Sequence, residues 1–120
     1  MNRRRHLGAM LAAAAAATSP RLVAAQAQAP FPARTIRVIV PFSAGALTDV
    51  IARLYAEKLT TRLGQPVIVE NKPGAAGVIA SQALLAAPPD GHAVMSVSSS
   101  HAVNPSLHDK LPYDTLRDFT

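Results

Sequence analysis

Most of the side chains in this chain that could do chemistry sit in three short stretches. The richest is "SSSHAVNP", Ser98 to Pro105, with three consecutive hydroxyls, an imidazole and an amide. Read as catalysis, one serine would be a nucleophile and His101 its base. No G-x-S-x-G elbow supports that reading, and nearness in sequence is weak support for a nucleophile–base pair. Read as recognition, the same hydroxyls and the Asn104 amide are donors that can hold a carboxylate without reacting. Metal chemistry finds little footing. His92, His101 and His108 lack chelate spacing and the chain has no cysteine, so neither a metal site nor a cofactor is expected.

The second stretch is "PFSAGALTD", Pro41 to Asp49, small residues between a β-branched run and a helical pattern. A tight turn is one reading. The other is an anion seat, because the first N–H groups of a helix lack internal partners and point outward. An acid such as Asp49 in a first turn complements the helix dipole without any ligand, and it would repel a carboxylate unless it binds through water or faces a substrate amine. The third stretch, "NKPGAAG" (Asn71 to Gly77), fits neither G-x-x-x-x-G-K-[ST] nor G-x-G-x-x-G. Its glycines serve a close turn and helix packing, and Lys72 adds positive charge.

The elements between these stretches are regular. "TIRVIVPF" (Thr35 to Phe42) is nearly continuous in apolar character, as expected of a strand buried on both faces. A helix is expected from Thr48, its capping residue, to about Leu63, with Gly64 as a left-handed stop. Val50, Ile51, Leu54, Tyr55, Leu59 and Leu63 are expected as its buried stripe, with Arg53, Glu57, Lys58 and Arg62 facing water. A strand at Pro66 to Glu70, a helix at Val78 to Ala87 and a strand at His92 to Ser99 follow. This βαβαβ order predicts an α/β fold with an open, mainly parallel sheet. Ligands bind such sheets outside the carboxyl ends of the strands. All three stretches leave those ends, the serine-rich one as a loop from Ser98 to Asn104.

Charge excludes one class of partner. Of 12 Lys and Arg, Arg3, Arg4, Arg5 and Arg21 precede residue 30; the remaining eight face seven acids, a balance of +1, so four of the net five positive charges belong to the leader. Nucleic acid is therefore not an expected partner. The leader has a basic start, an apolar run from Leu7 to Ala17 and A-x-A sites at Ala25–Ala27 and Ala27–Ala29. That order reads as a signal peptide over 1–29, cleaved near Ala27 or Ala29, with export to follow. The run is about half the roughly 20 residues that span a bilayer, so the chain is not expected to cross a membrane.

With these residues in view, the chain resembles the N-terminal part of the substrate-binding receptors of tripartite tricarboxylate transporters, also called the Bug or TctC family. The stretches that carry the likeness are "TIRVIVPFSAGALTDVIAR", "LGQPVIVENKPGAAG", "APPDGHAVMSVSSSHAVNPSL" and "KLPYDTLRDFT". They depart from the family pattern at Ala46, where a second Gly is usual, at Ser43, where Pro is favoured, and at His92, usually aromatic. The resemblance implies a two-lobed periplasmic-binding-protein fold (type II), of which residues 30–120 would form the N-terminal portion of the first lobe. It implies a periplasmic receptor, not an enzyme, that captures a small organic acid for the transporter's membrane subunits. The ligand-contacting positions it implies are Ser43, Ala44, Gly45, Thr48, Asp49, Ser98, Ser99, Ser100, His101 and Asn104. Gly45, Ser99 and Ser100 would supply amides or hydroxyls. The competing readings are a truncated receptor without binding activity and an exported serine hydrolase working through Ser98 and His101.

Overall fold

The computed structural model describes residues 30–119, so the leader expected over 1–29 lies outside the described residues. Strand β1 runs Ile36–Val40, β2 Val67–Asn71 and β3 Ala93–Met95. They form one parallel sheet in the order β2-β1-β3. Helix α1 (Leu47–Leu63) crosses from β1 to β2, and α2 (Val78–Leu85), preceded by a single 3-10 turn at Ala75–Gly77, crosses from β2 to β3. A third helix, α3 (Ser99–Leu107), follows β3.

β1 is the central strand, and its apolar run is buried on both faces as a central parallel strand requires. On one face Ile36, Val38 and Val40 pack with Val67, Ala52 and Ala56. Toward the other lie Ile39 and the Ala80 of α2, both without solvent contact. Arg37 on β1 grips Glu70 on β2 through two hydrogen bonds of 2.7 and 2.9 Å, an ion pair spanning neighbouring strands.

Helix α1 departs from expectation at its start and along its buried face. It begins at Leu47 with Ala46 as the N-cap, so Thr48 lies inside the first turn and does not cap it. Its buried residues are Asp49, Ala52 and Ala56, and Leu63 adds to the core cluster. The expected stripe mostly faces outward, with Leu54 60% and Tyr55 67% exposed. The reason is steric. Alanines at i and i+4 let the helix axis approach the sheet closely, and a helix has only one such face. Gly64 ends the helix in the left-handed conformation (φ +67°), its N–H on the Thr60 carbonyl at 3.1 Å, as expected.

The remaining correction concerns the serine-rich stretch. The strand expected over His92 to Ser99 is only Ala93–Met95, and the expected loop from Ser98 is helix α3. Pro105 sits inside that helix, and its missing N–H removes one ladder bond. Ile39→Ala should cost about 2–5 kcal/mol because Ile39 fills the sheet centre with no route for collapse. Urea denaturation of the full-length protein that carries this sequence checks it; a loss under 1 kcal/mol would contradict the packing described.

Candidate functional site

Because β1, β2 and β3 run parallel, the segments that leave them emerge on one edge of the sheet. Two helices start on that edge from neighbouring strands, α1 after β1 and α3 after β3. Both starts are open. Ala46 and Ser98, the N-caps, are extended and neither makes a side-chain capping bond. The Ser98 hydroxyl pairs with that of Ser100 at 2.9 Å instead. The start of α1 therefore presents its unpaired first N–H groups and that of α3 presents those of Ser99 and Ser100, the His101 N–H being bonded to the Ser98 carbonyl at 3.1 Å, and each helix end carries roughly half a positive charge. Ser43, Ala44 and Ser99 are exposed on this rim, while Thr48, Ser98, Ser100 and His101 are half-buried.

Asp49 organises the first loop. Only 2% exposed, it accepts the Gly45 N–H at 2.8 Å, the Asn71 amide at 2.8 Å and the Arg53 Nε at 3.0 and 3.1 Å. Asn71, the last residue of β2, also donates to the Phe42 carbonyl at 3.0 Å and accepts from the Arg53 guanidinium at 3.0 Å. One carboxylate and one amide thus join the ends of β1 and β2 to the first two turns of α1. Gly45 turns inward with φ +87°, a conformation that side-chain-bearing residues rarely adopt, so its N–H reaches Asp49. Its N–H, expected among the ligand donors, is committed inside the loop. What Gly45 supplies to the rim is a conformation.

Asn104 also departs from the expected ligand contact. It is 1% exposed, and its amide donates to the Ala76 carbonyl at 2.9 Å and lies 3.4 Å from the Tyr113 hydroxyl. It ties α3 to the turn after β2, where Ala75 and Ala76 have φ of +45° and +52°. His101 stacks near Tyr113 and edge-on to Phe119. Its Nδ1 lies 3.4 Å from the Ser81 hydroxyl, which donates to the Gly77 carbonyl at 3.0 Å. The fold therefore brings His101 to buried Ser81 and not to the hydroxyls of Ser98 to Ser100.

Sequence reasoning missed Asn71 and Arg53 as parts of the first loop. The i,i+4 spacing of Asp49 and Arg53 carried that signal; the contact between Asn71 and Asp49 had none short of the strand pairing. Among the described residues no group of three or more His, Cys, Asp or Glu could hold a metal, and no helix is long and apolar enough to cross a membrane.

Comparison with known proteins gives the chain a family. Residues 51–120 match the tripartite tricarboxylate transporter family receptor, TctC, and the chain belongs to that family. Protein BugT of Bordetella pertussis is 47% identical over 90 residues, covering 73% of this chain and 28% of BugT. Among solved structures, the periplasmic binding protein BugD is 36% identical with a TM-score of 0.69, covering 73% of this chain and 29% of that one. MatC from Rhodopseudomonas palustris, solved with bound malate, is 41% identical with a TM-score of 0.68, covering 75% of this chain and 31% of that one. The chain spans under a third of the length of the curated relatives it matches. The family and these neighbours are receptors and binding proteins rather than enzymes. The α/β fold with its parallel sheet agrees with part of a periplasmic binding protein's first lobe.

The Asp49 carboxyl is held down to about 2 from its usual value near 3.8, chiefly by the Arg53 guanidinium and then by the Gly45 N–H and the Asn71 amide. A depressed pKa contributes stability that is complete above the unfolded value and lost as pH falls through the folded one. Stability of the full-length protein should therefore be insensitive to this group above about pH 4 and fall between about pH 4 and pH 2. In Asp49→Asn that acid loss should be shallower, measured by denaturant titration at stepped pH. An identical acid slope in the variant would mean that the carboxylate is not bonded as described.

Proposed function

We propose that this sequence supplies the first-lobe rim of an extracytoplasmic receptor that captures a small carboxylate, of the di- or tricarboxylate class. The receptor would deliver it to the membrane subunits of a tripartite tricarboxylate-type transporter. One observation carries the reading: two uncapped helix starts, α1 and α3, on the same edge of adjacent parallel strands. A carboxylate there gains from both dipoles and from donors that need no reorganisation. The contacts come from Ser43, Ala44 and Thr48 on the first loop and from Ser98, Ser99 and Ser100 at the start of α3. Asp49 and Asn104 hold these segments from beneath, and His101 lies behind the serines. Malate in the related MatC is a ligand of the same chemistry.

The leader of basic, apolar and A-x-A segments supports export, and BugD, a periplasmic binding protein, supports the periplasm as destination. No reaction is proposed. A second reading, that this stretch by itself does not bind, is favoured by the exposed apolar side chains of α1 and by the short span relative to the relatives. The two are separated by testing both lengths of protein. A thermal-shift panel of mono-, di- and tricarboxylates, with a neutral sugar as control, should raise the midpoint of the full-length protein. Ligand at a hundredfold excess over Kd stabilises by about 2.7 kcal/mol. A shift with the sugar and none with any acid would refute the proposal.

A further inference from the structure

An anion seat with an aspartate in its first helical turn poses an electrostatic problem. Asp49 is the third residue of α1, the helix whose start would face the ligand, and its carboxylate is ionised at neutral pH. Left alone, a full negative charge beneath the seat would outweigh the half charge of the helix end. It is not left alone. The Arg53 Nε lies 3.0 and 3.1 Å from the two Asp49 oxygens, and the far end of the guanidinium reaches Asn71 at 3.0 Å. The arginine side chain remains 53% exposed while the aspartate is 3% exposed. The pair is therefore formed with one partner still hydrated, which spares most of the cost of burying a charge.

Resting on the reading above, we infer that Arg53 sets the receptor's affinity for multiply charged acids without touching them, by cancelling the Asp49 charge beneath the helix start. It is a positioning residue, and its action is electrostatic. Removing its charge while keeping a donor exposes each ligand charge to uncompensated repulsion, so the effect grows with ligand charge. By Coulomb's law, with the two charges about 4 Å apart at the dielectric of water or about 17 Å apart at the effective value of about 20 near a protein surface, about fivefold per ligand charge is expected. Salt should weaken it, because the screening length in solvent falls from about 30 Å at 0.01 M to about 3 Å at 1 M, while burial of Asp49 leaves part of the effect unscreened.

The test is calorimetric titration of the full-length receptor with an acid found to bind the wild type and with its monoamide, which carries one charge fewer. Arg53→Gln should weaken the diacid about twentyfold and the monoamide about fivefold at low salt, with both losses smaller at 1 M. Arg53→Lys should keep the wild-type ratio between the two. Adding Asp49→Asn to Arg53→Gln should restore that ratio, since the charge to be cancelled is gone. Equal losses for both ligands, or losses insensitive to salt, would overturn the inference and leave Arg53 a structural residue. So would a double variant no better than the single one. Should the wild type bind no acid, the receptor reading itself fails, which is a different result from binding with an unchanged ratio.

Discussion

The edge of the sheet is held in shape by one buried carboxylate. Asp49 receives a backbone N–H from the loop, an amide from the neighbouring strand and a guanidinium from its own helix. Hydrogen bonds to a charged group are about twice as strong as neutral ones, and here they converge on two oxygens. Remove that acceptor and Gly45, Asn71 and Arg53 each lose a partner. The loop between Phe42 and Leu47 has one further backbone tie of its own, Ala46 to Ser43 at 3.2 Å. Its conformation is consequently dictated from below, by Asp49, and from the side, by Asn71. A loop fixed in this way can present donors to a ligand without ordering itself at the moment of binding, which is the main cost that preorganisation avoids.

The third rim segment is fixed by a comparable device from a different residue. Asn104 reaches from α3 to the Ala76 carbonyl, in a turn where two alanines have positive φ. Such conformations cost of order 1 kcal/mol or more each and persist only where the surroundings over-determine them. The amide of Asn104 is part of that determination, as is the Gly77 N–H on the Gly74 carbonyl at 3.0 Å. Asp49 and Asn104 both sit where a ligand-contact reading placed them in the chain, each buried beneath the rim.

How far the sequence could be read follows from which forces were local. The apolar run of β1 and the Gly64 stop are local signals, and both elements stand where the pattern put them. The expected α1 stripe differs from the buried face because apolar bulk does not mark burial here: Ala52 and Ala56 make the contact with the sheet. Helix α3 was hidden by a run of three serines and by Pro105, both of which speak against a helix locally. Its packing against the turn at Ala75–Gly77 is a long-range term that overrides them. Asn71 was invisible for a related reason: its partners lie 22 and 29 residues away, and only the parallel register of β1 and β2 brings them together.

The two bare helix starts make sense only against what capping is worth. A side-chain cap contributes about 1 kcal/mol, and serine, threonine and aspartate, the residues that supply it, are all at hand here. Thr48 sits two positions past the Ala46 N-cap, Asp49 turns to Gly45, and Ser98 spends its hydroxyl on Ser100. A chain under selection for stability alone would place such a residue at Ala46 and turn the Ser98 hydroxyl, already at the N-cap of α3, onto its own helix. Leaving both starts open forgoes that stability in the apo state. In the liganded state a carboxylate would fill the place of the cap, with its own charge added. The same N–H groups that weaken the empty protein would then stabilise the occupied one, and the difference between the two states is the binding energy.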